Sequence, residues 1–155
     1  MGSGRRSRHT GAVHKTIQAS LDADAERVVA ILSDLGNYPA WLDIVTHAVP
    51  AEAAPGDAGP AWSVTLRAKV GPFARSKRLR MVRTEATERR LRFERAELDG
   101  RTHSAWVLDV EVSDARPCDV QVDLRYDGGL WSAPLEAILG SQADDAVPRL
   151  EALVG

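Results

Sequence analysis

The side chains able to do chemistry are few in this chain, and their spacing matches no known catalytic device. There is no glycine-rich phosphate loop, no nucleophile elbow and no pair of histidines spaced as metal ligands. His9 and His14 lie near the N-terminus, while His47 and His103 are far apart in sequence. Cys118 is the only cysteine, which excludes an internal disulfide and a cysteine-based zinc cluster and suits a reducing cytoplasm. It sits in an alternating apolar run, where a free thiol behaves as a small buried hydrophobe. What remains is a set of hydroxyls (Thr102, Ser104 and Tyr126) and two cations, Arg83 and Arg95. Any of them could hydrogen-bond a ligand's polar group, but none is a strong base at neutral pH without a partner. Each also has a plain structural use. Ser104 and Thr102 can bond local backbone, and Tyr126 can pack its ring with the hydroxyl at a rim. Arg83 and Arg95 can sit in water at strand ends, because a buried unpaired guanidinium is very costly.

The elements that must position these groups are legible as period-two and period-3.6 patterns. From Val13 to Leu21 alternation gives a half-buried strand. Asp22 or Asp24 can cap a helix carrying Val28, Val29, Ile31, Leu32 and Leu35, which Gly36 ends. Asn37 can cap a second short helix with Pro39 in its first turn and Tyr38, Trp41 and Leu42 along it. A poorly defined strand lies near Ile44 to Ala51, followed by a Pro/Gly loop from Pro55 to Pro60. Trp62, Val64, Leu66, Ala68 and Val70 then share one face. After Gly71-Pro72 come Phe73, Leu79 and Met81, then Leu91 and Phe93. Asp99-Gly100 is a hairpin signal. Thr102, Ser104, Trp106, Leu108, Val110 and Val112 follow on one face, and after Pro117 so do Cys118, Val120, Val122, Leu124 and Tyr126. From Leu130 the period becomes helical through Trp131, Leu135, Ile138 and Leu139. Gly140 and Pro148 predict a kink or two segments before Leu150 and Leu153 resume the stripe.

A sheet with one apolar face must be covered, and the C-terminal helix is the only long amphipathic element available to cover it. The predicted fold is α+β and of the helix-grip kind. A curved antiparallel sheet of six to seven strands wraps round a long C-terminal helix, with two short helices after the first strand. At 155 residues the chain fits one domain. Residues 1–11 read as a disordered basic tail with no apolar segment to make a signal peptide, and residues 12–155 as the domain. A net charge of −2 does not point to nucleic acid, and no apolar run is long enough to span a membrane. Nothing suggests a cofactor or metal. The expected location is cytoplasmic, and monomer and homodimer both stay open.

Three segments carry a family resemblance. They are the opening strand with ASLDADAERVVAILSD (Ala19 to Asp34), the turn NYPAWL (Asn37 to Leu42), and GGLWSAPLEAILG (Gly128 to Gly140). Together they resemble the START-like, Bet v 1-like superfamily of polyketide cyclases and lipid-binding proteins. The segment VGPFARSKRLRMVR (Val70 to Arg83) is also loosely similar to the branch of that superfamily associated with carbon monoxide dehydrogenase. The resemblance implies a small apolar ligand, lipid-like or polyketide-like, held between the sheet and the C-terminal helix. The residues placed around that cavity are Trp41, Trp62, Leu66, Leu79, Met81, Phe93, Ser104, Trp106, Tyr126, Trp131 and Leu135. The aromatic rings among them could instead simply fill the core. Two alternatives stay open: a cyclase or aromatase, and an interaction module. The latter would use the basic stretch Arg75 to Arg95, whose nine Lys/Arg could equally be a solvated sheet face with cross-strand ion pairs.

Overall fold

The computed structural model describes residues 12–70, 72–128 and 144–155. The N-terminal tail and the predicted helix start around Trp131 and Leu135 lie outside the described residues. In chain order the elements are β1 (Ala12–Leu21), α1 (Ala25–Leu32), a 3-10 helix (Leu35–Ala40), β2 (Val45–Ala51), β3 (Ala61–Val70), β4 (Phe73–Ala86), β5 (Arg90–Arg95), β6 (Ala105–Val112) and β7 (Cys118–Asp127). A helix over 144–154, here α2, ends the chain. The seven strands form one antiparallel sheet in the order β1-β7-β6-β5-β4-β3-β2. Strands β2 to β7 are therefore a meander, and β1 closes the arrangement by pairing with β7 from Ala12↔Asp127 to Leu21↔Cys118. This is the α+β helix-grip architecture that the alternation predicts.

Alternation puts one face of β3 to β7 into a single core, whereas β2 buries only Val45. Val64 and Leu66 of β3, Leu79 and Met81 of β4, Leu91 and Phe93 of β5, Trp106 to Val112 of β6 at every second residue, and Cys118 to Val122 of β7 likewise are all buried. From α2, Ala146, Leu150 and Val154 enter the same core at helical spacing. The helix continues across Pro148. Arg27 of α1 donates Nε to the Val154 carbonyl at 2.6 Å, which ties α1 to the last turn of α2.

Several local expectations are corrected. The second short helix is a 3-10 helix with Asp34, not Asn37, as its N-cap; Asp34 Oδ1 accepts from the Gly36 amide at 2.8 Å. Asn37 instead donates its side-chain amide to the Ile31 carbonyl, across the end of α1. Trp41 is the C-cap residue of this helix rather than a residue along it. Asp24 is the N-cap of α1 but makes no capping bond; it pairs with Arg116, which also holds Asp22. Asp99-Gly100 does not make a two-residue hairpin, because β5 ends at Arg95 and β6 begins at Ala105. Gly100, at φ 72, turns a longer connection that leaves Thr102 exposed instead of on the inner face.

The loop between β2 and β3 is fastened to β4 by one ion pair. Arg80 donates both terminal nitrogens to Asp57, at 3.1 and 2.7 Å, and also reaches the Ala96 and Glu52 carbonyls. A two-point guanidinium–carboxylate contact of this kind is the strong form of the interaction. The hydrogen bond from Arg80 is the main reason that the Asp57 carboxyl titrates below the usual carboxylate range. A carboxyl whose folded pKa is depressed stabilises the fold above its unfolded pKa of about 4, and that contribution is lost as pH falls through the folded value. Asp99 and Asp123 are shifted the same way. The expected result is an acid limb in melting temperature below about pH 4 that is shallower, though not flat, in Asp57→Asn. An unchanged limb would show that the latch contributes nothing to acid stability.

Candidate functional site

The inner face of the sheet lines a gap of about 50 Å³. Val64, Leu66, Leu79, Met81, Trp106, Leu108 and Leu124 line it from β3, β4, β6 and β7. Leu35, Tyr38, Leu42, Ile44 and Val45 close it from the side of the 3-10 helix. The one side-chain oxygen among them, the Tyr38 hydroxyl, is already committed: it donates to the Leu32 carbonyl at 3.0 Å, and burial pushes its pKa far up. The gap is thus apolar on every described side. A hollow of about 1010 Å³ on the outer face, between Gln18, Arg90, Glu111 and Asp119, is much larger but is an open polar depression rather than an enclosure.

Of the residues that the sequence places around the cavity, Leu66, Leu79, Met81 and Trp106 meet at this gap. Trp41, Trp62 and Phe93 do not line it. They form a run of rings beside it with Tyr38, the centroid separations being 5.2 Å for Tyr38–Trp41, 6.2 Å for Tyr38–Phe93 and 5.7 Å for Trp62–Phe93. The Trp62 indole donates to Asp34, the cap of the 3-10 helix. Tyr126 stacks on Trp106 with centroids 4.4 Å apart. A Cβ at Gly128 would overlap both the Tyr126 hydroxyl and Ser104 Oγ, so the two hydroxyls converge there beside the gap. Trp131 and Leu135 lie outside the described residues.

The end of the sheet nearest Trp106 and Tyr126 carries charge that sequence reasoning places elsewhere. Arg95 is not in water. It follows Phe93 on the inner face of β5, its side chain is only 8% exposed, and it donates Nε to Glu97 at 2.7 Å and Nη1 to the Ser104 carbonyl at 3.2 Å. Arg83 likewise turns back to donate to the Ser33 carbonyl. Lys77 is hidden in the sequence by the charge run around it, yet it has the same parity on β4 as Leu79 and Met81, and that parity is the signal that could have found it. Burial, then the nearby Arg95, lower the pKa of Lys77, while Glu97 pulls the other way.

The outer face is different in kind. Arg90 faces Glu111 and Arg92 faces Asp109 across β5–β6, each pair at 3.7 Å, and Arg89 lies 3.9 Å from Asp114. Cross-strand pairing with β6 therefore offsets Arg90 and Arg92, two of the nine cations of the basic stretch. No group of side chains among the described residues could hold a metal, and no described helix is long and apolar enough to cross a membrane.

With this geometry in place, comparison with known proteins is decisive for family. Residues 12–155 match the family model described as polyketide cyclase / dehydrase and lipid transport. The chain belongs to this family. No curated protein matches it in sequence. Among solved structures it is similar to a START superfamily protein from Mycobacterium smegmatis, with 17% identity, a TM-score of 0.65 and coverage of 92% of this chain and 96% of that one. It is also similar to a major latex-like protein from Panax ginseng (12% identity, TM-score 0.63, 93% and 98% covered). A third likeness is to an aromatase/cyclase from a Streptomyces species (15% identity, TM-score 0.57, 92% of each chain covered). At these identities the likenesses show a shared fold, and the family's fold is the one described above.

Proposed function

We propose that this protein binds a small apolar ligand between the inner face of its sheet and its C-terminal helix. The observation that carries the reading is the gap beside Trp106, apolar on every described side. Ligand pockets are apolar walls with a few placed polar groups; here the walls are apolar, and the Tyr126 ring packs on the Trp106 wall from outside, with its hydroxyl near that of Ser104. A gap of about 50 Å³ is well below the roughly 300–1,000 Å³ of ligand pockets, so loading requires the walls to part. Met81, unbranched and adaptable, is suited to that movement. The free thiol Cys118, buried in the core, is compatible with a reducing cytoplasm. Native mass spectrometry of protein purified from its own host tests the reading: a co-purifying organic mass supports it. A bare chain that also takes up no apolar fluorophore overturns it.

A second reading, cyclase or aromatase chemistry on a polyketide-like chain, is favoured by one observation. Arg95 is inward and buried on the strand that leads to Ser104, and it donates to the Ser104 carbonyl. A guanidinium there could polarise a substrate carbonyl while the Tyr126 hydroxyl donates a proton. Incubation with a poly-β-keto thioester distinguishes the readings. A change in product distribution that Arg95→Met removes, with melting retained, favours the enzyme; identical products with and without protein remove it.

A further inference from the structure

We propose that the β3–β4 hairpin docks on an anionic membrane surface, with Arg67, Arg75 and Arg78 on lipid head groups and the apolar turn at Pro72 in the interface. The fold first sorts the cations of this region. Arg80 is held by Asp57, Arg90 by Glu111, Arg92 by Asp109 and Arg95 by Glu97. Arg67, Arg75 and Arg78 are exposed instead, and all three lie on one hairpin. β2 pairs with β3 no further than Leu66, and β5 with β4 no further than Met81, whereas β3 and β4 stay paired out to Val70↔Phe73. The hairpin therefore runs past its neighbouring strands as a two-stranded ribbon. Its inner face is covered, since Ala68 is 2% exposed, while Arg67, Ser76 and Arg78 on the outer face are exposed. Arg67 is opposite Ser76, two residues from Arg78, so the two guanidinium groups are diagonal neighbours on that face. Arg75 stands nearer the turn, opposite Ala68. From Ala58 to Thr84 the sequence contains no Asp or Glu, and the turn Val70-Gly71-Pro72-Phe73 has no polar side chain. Exposed cations behind an apolar tip match a bilayer containing acidic lipids, where the cations meet head groups and the tip enters the interface. Duplex nucleic acid fits less well, because the chain's net charge is −2 and the tip offers no side-chain donor or acceptor to a base edge. The proposal stands apart from the cavity reading, since docking needs no occupied gap.

Flotation of the full chain with vesicles tests this, comparing pure phosphatidylcholine with equal parts phosphatidylcholine and phosphatidylserine. Wild type is expected to bind the acidic vesicles and not the neutral ones, and to bind more weakly at about 0.15 M than at about 0.01 M ionic strength. Each cation near an acidic bilayer contributes about fivefold in affinity. The hairpin variant Arg67→Gln, Arg75→Gln, Arg78→Gln should therefore lose binding on the order of 100-fold at the lower salt. All three positions are exposed, so it is expected to melt as wild type does. The variant Arg89→Gln, Arg90→Gln, Arg125→Gln removes the same charge from other exposed positions and should keep most of the binding. Pro72→Asp, which puts an anion on the exposed turn, should weaken binding by at least the fivefold of one cation; unchanged binding there overturns the placement of the turn in the interface. Whatever the variants do, wild type that ignores acidic vesicles, or binds both compositions equally, overturns the proposal. Binding that survives in the hairpin variant also overturns it and moves the contact elsewhere, for instance to Arg5, Arg6 and Arg8. Tighter binding of wild type to duplex DNA than to acidic vesicles overturns it in favour of a nucleic-acid partner.

Discussion

Trp41→Ala is expected to lower stability by roughly 3–5 kcal/mol, the range for truncating a large buried aromatic. For a chain of this size that corresponds to a melting shift on the order of 10 °C. Trp41 is 1% exposed, caps the 3-10 helix, and leans on Tyr38, which in turn meets Phe93. A six-residue 3-10 helix has little stability of its own and depends on such anchors. The indole Nε1 is buried without a hydrogen-bond partner among the described residues, so the ring is held there by packing. Trp41→Phe, which keeps a ring and loses no hydrogen bond, should therefore cost much less than alanine. Trp41 does not line the gap, so its loss should leave uptake of an apolar dye nearly unchanged at temperatures where the variant is folded. Near-wild-type melting with altered dye binding would instead make Trp41 part of the cavity mouth.

How much of this is legible in the sequence differs by level. Alternation names the inner face of β3, β4, β6 and β7 almost residue by residue, because burying one face of a sheet leaves no other solution. It does not say where along each strand the side chains meet. Trp62 and Phe93 are on the predicted face, yet they pack under Tyr38 and Trp41 rather than beside Trp106, since the position of the 3-10 helix is set by tertiary contacts. The capping error has a similar origin. Asp34 and Asn37 are both good caps by type; in the fold Asp34 accepts from the Gly36 amide and the Trp62 indole, while Asn37 donates to the Ile31 carbonyl. Arg95 reads as solvated in the sequence because a buried guanidinium needs a partner. That partner, Glu97, stands just beyond the end of β5 and folds back onto it, a contact that no period reveals. Lys77 is hidden differently: its neighbours Arg75, Arg78 and Arg80 make the segment look like a uniform charge run, although parity alone separates it from Arg78 and Arg80.

Trp106→Ala is expected to cost a comparable amount, roughly 3–5 kcal/mol, but to act on binding in the opposite way from Trp41→Ala. Trp106 is 2% exposed, stacks on Tyr126 and forms one wall of the gap. Truncating it joins the volume of an indole to a space of about 50 Å³ that is already there. The surroundings cannot fully collapse, because Leu79, Met81 and Leu108 are fixed by the sheet register on either side. An enlarged apolar hollow in a protein interior stays dry and accepts apolar guests. Dye uptake should accordingly rise in Trp106→Ala, and saturating dye should recover part of the lost melting temperature, because a guest that binds only the folded state stabilises it by mass action. Measuring melting and dye titration on the two tryptophan variants side by side separates packing from binding: both lose stability, and only Trp106→Ala gains affinity. Identical dye binding in the two would place the ligand somewhere other than the gap beside Trp106.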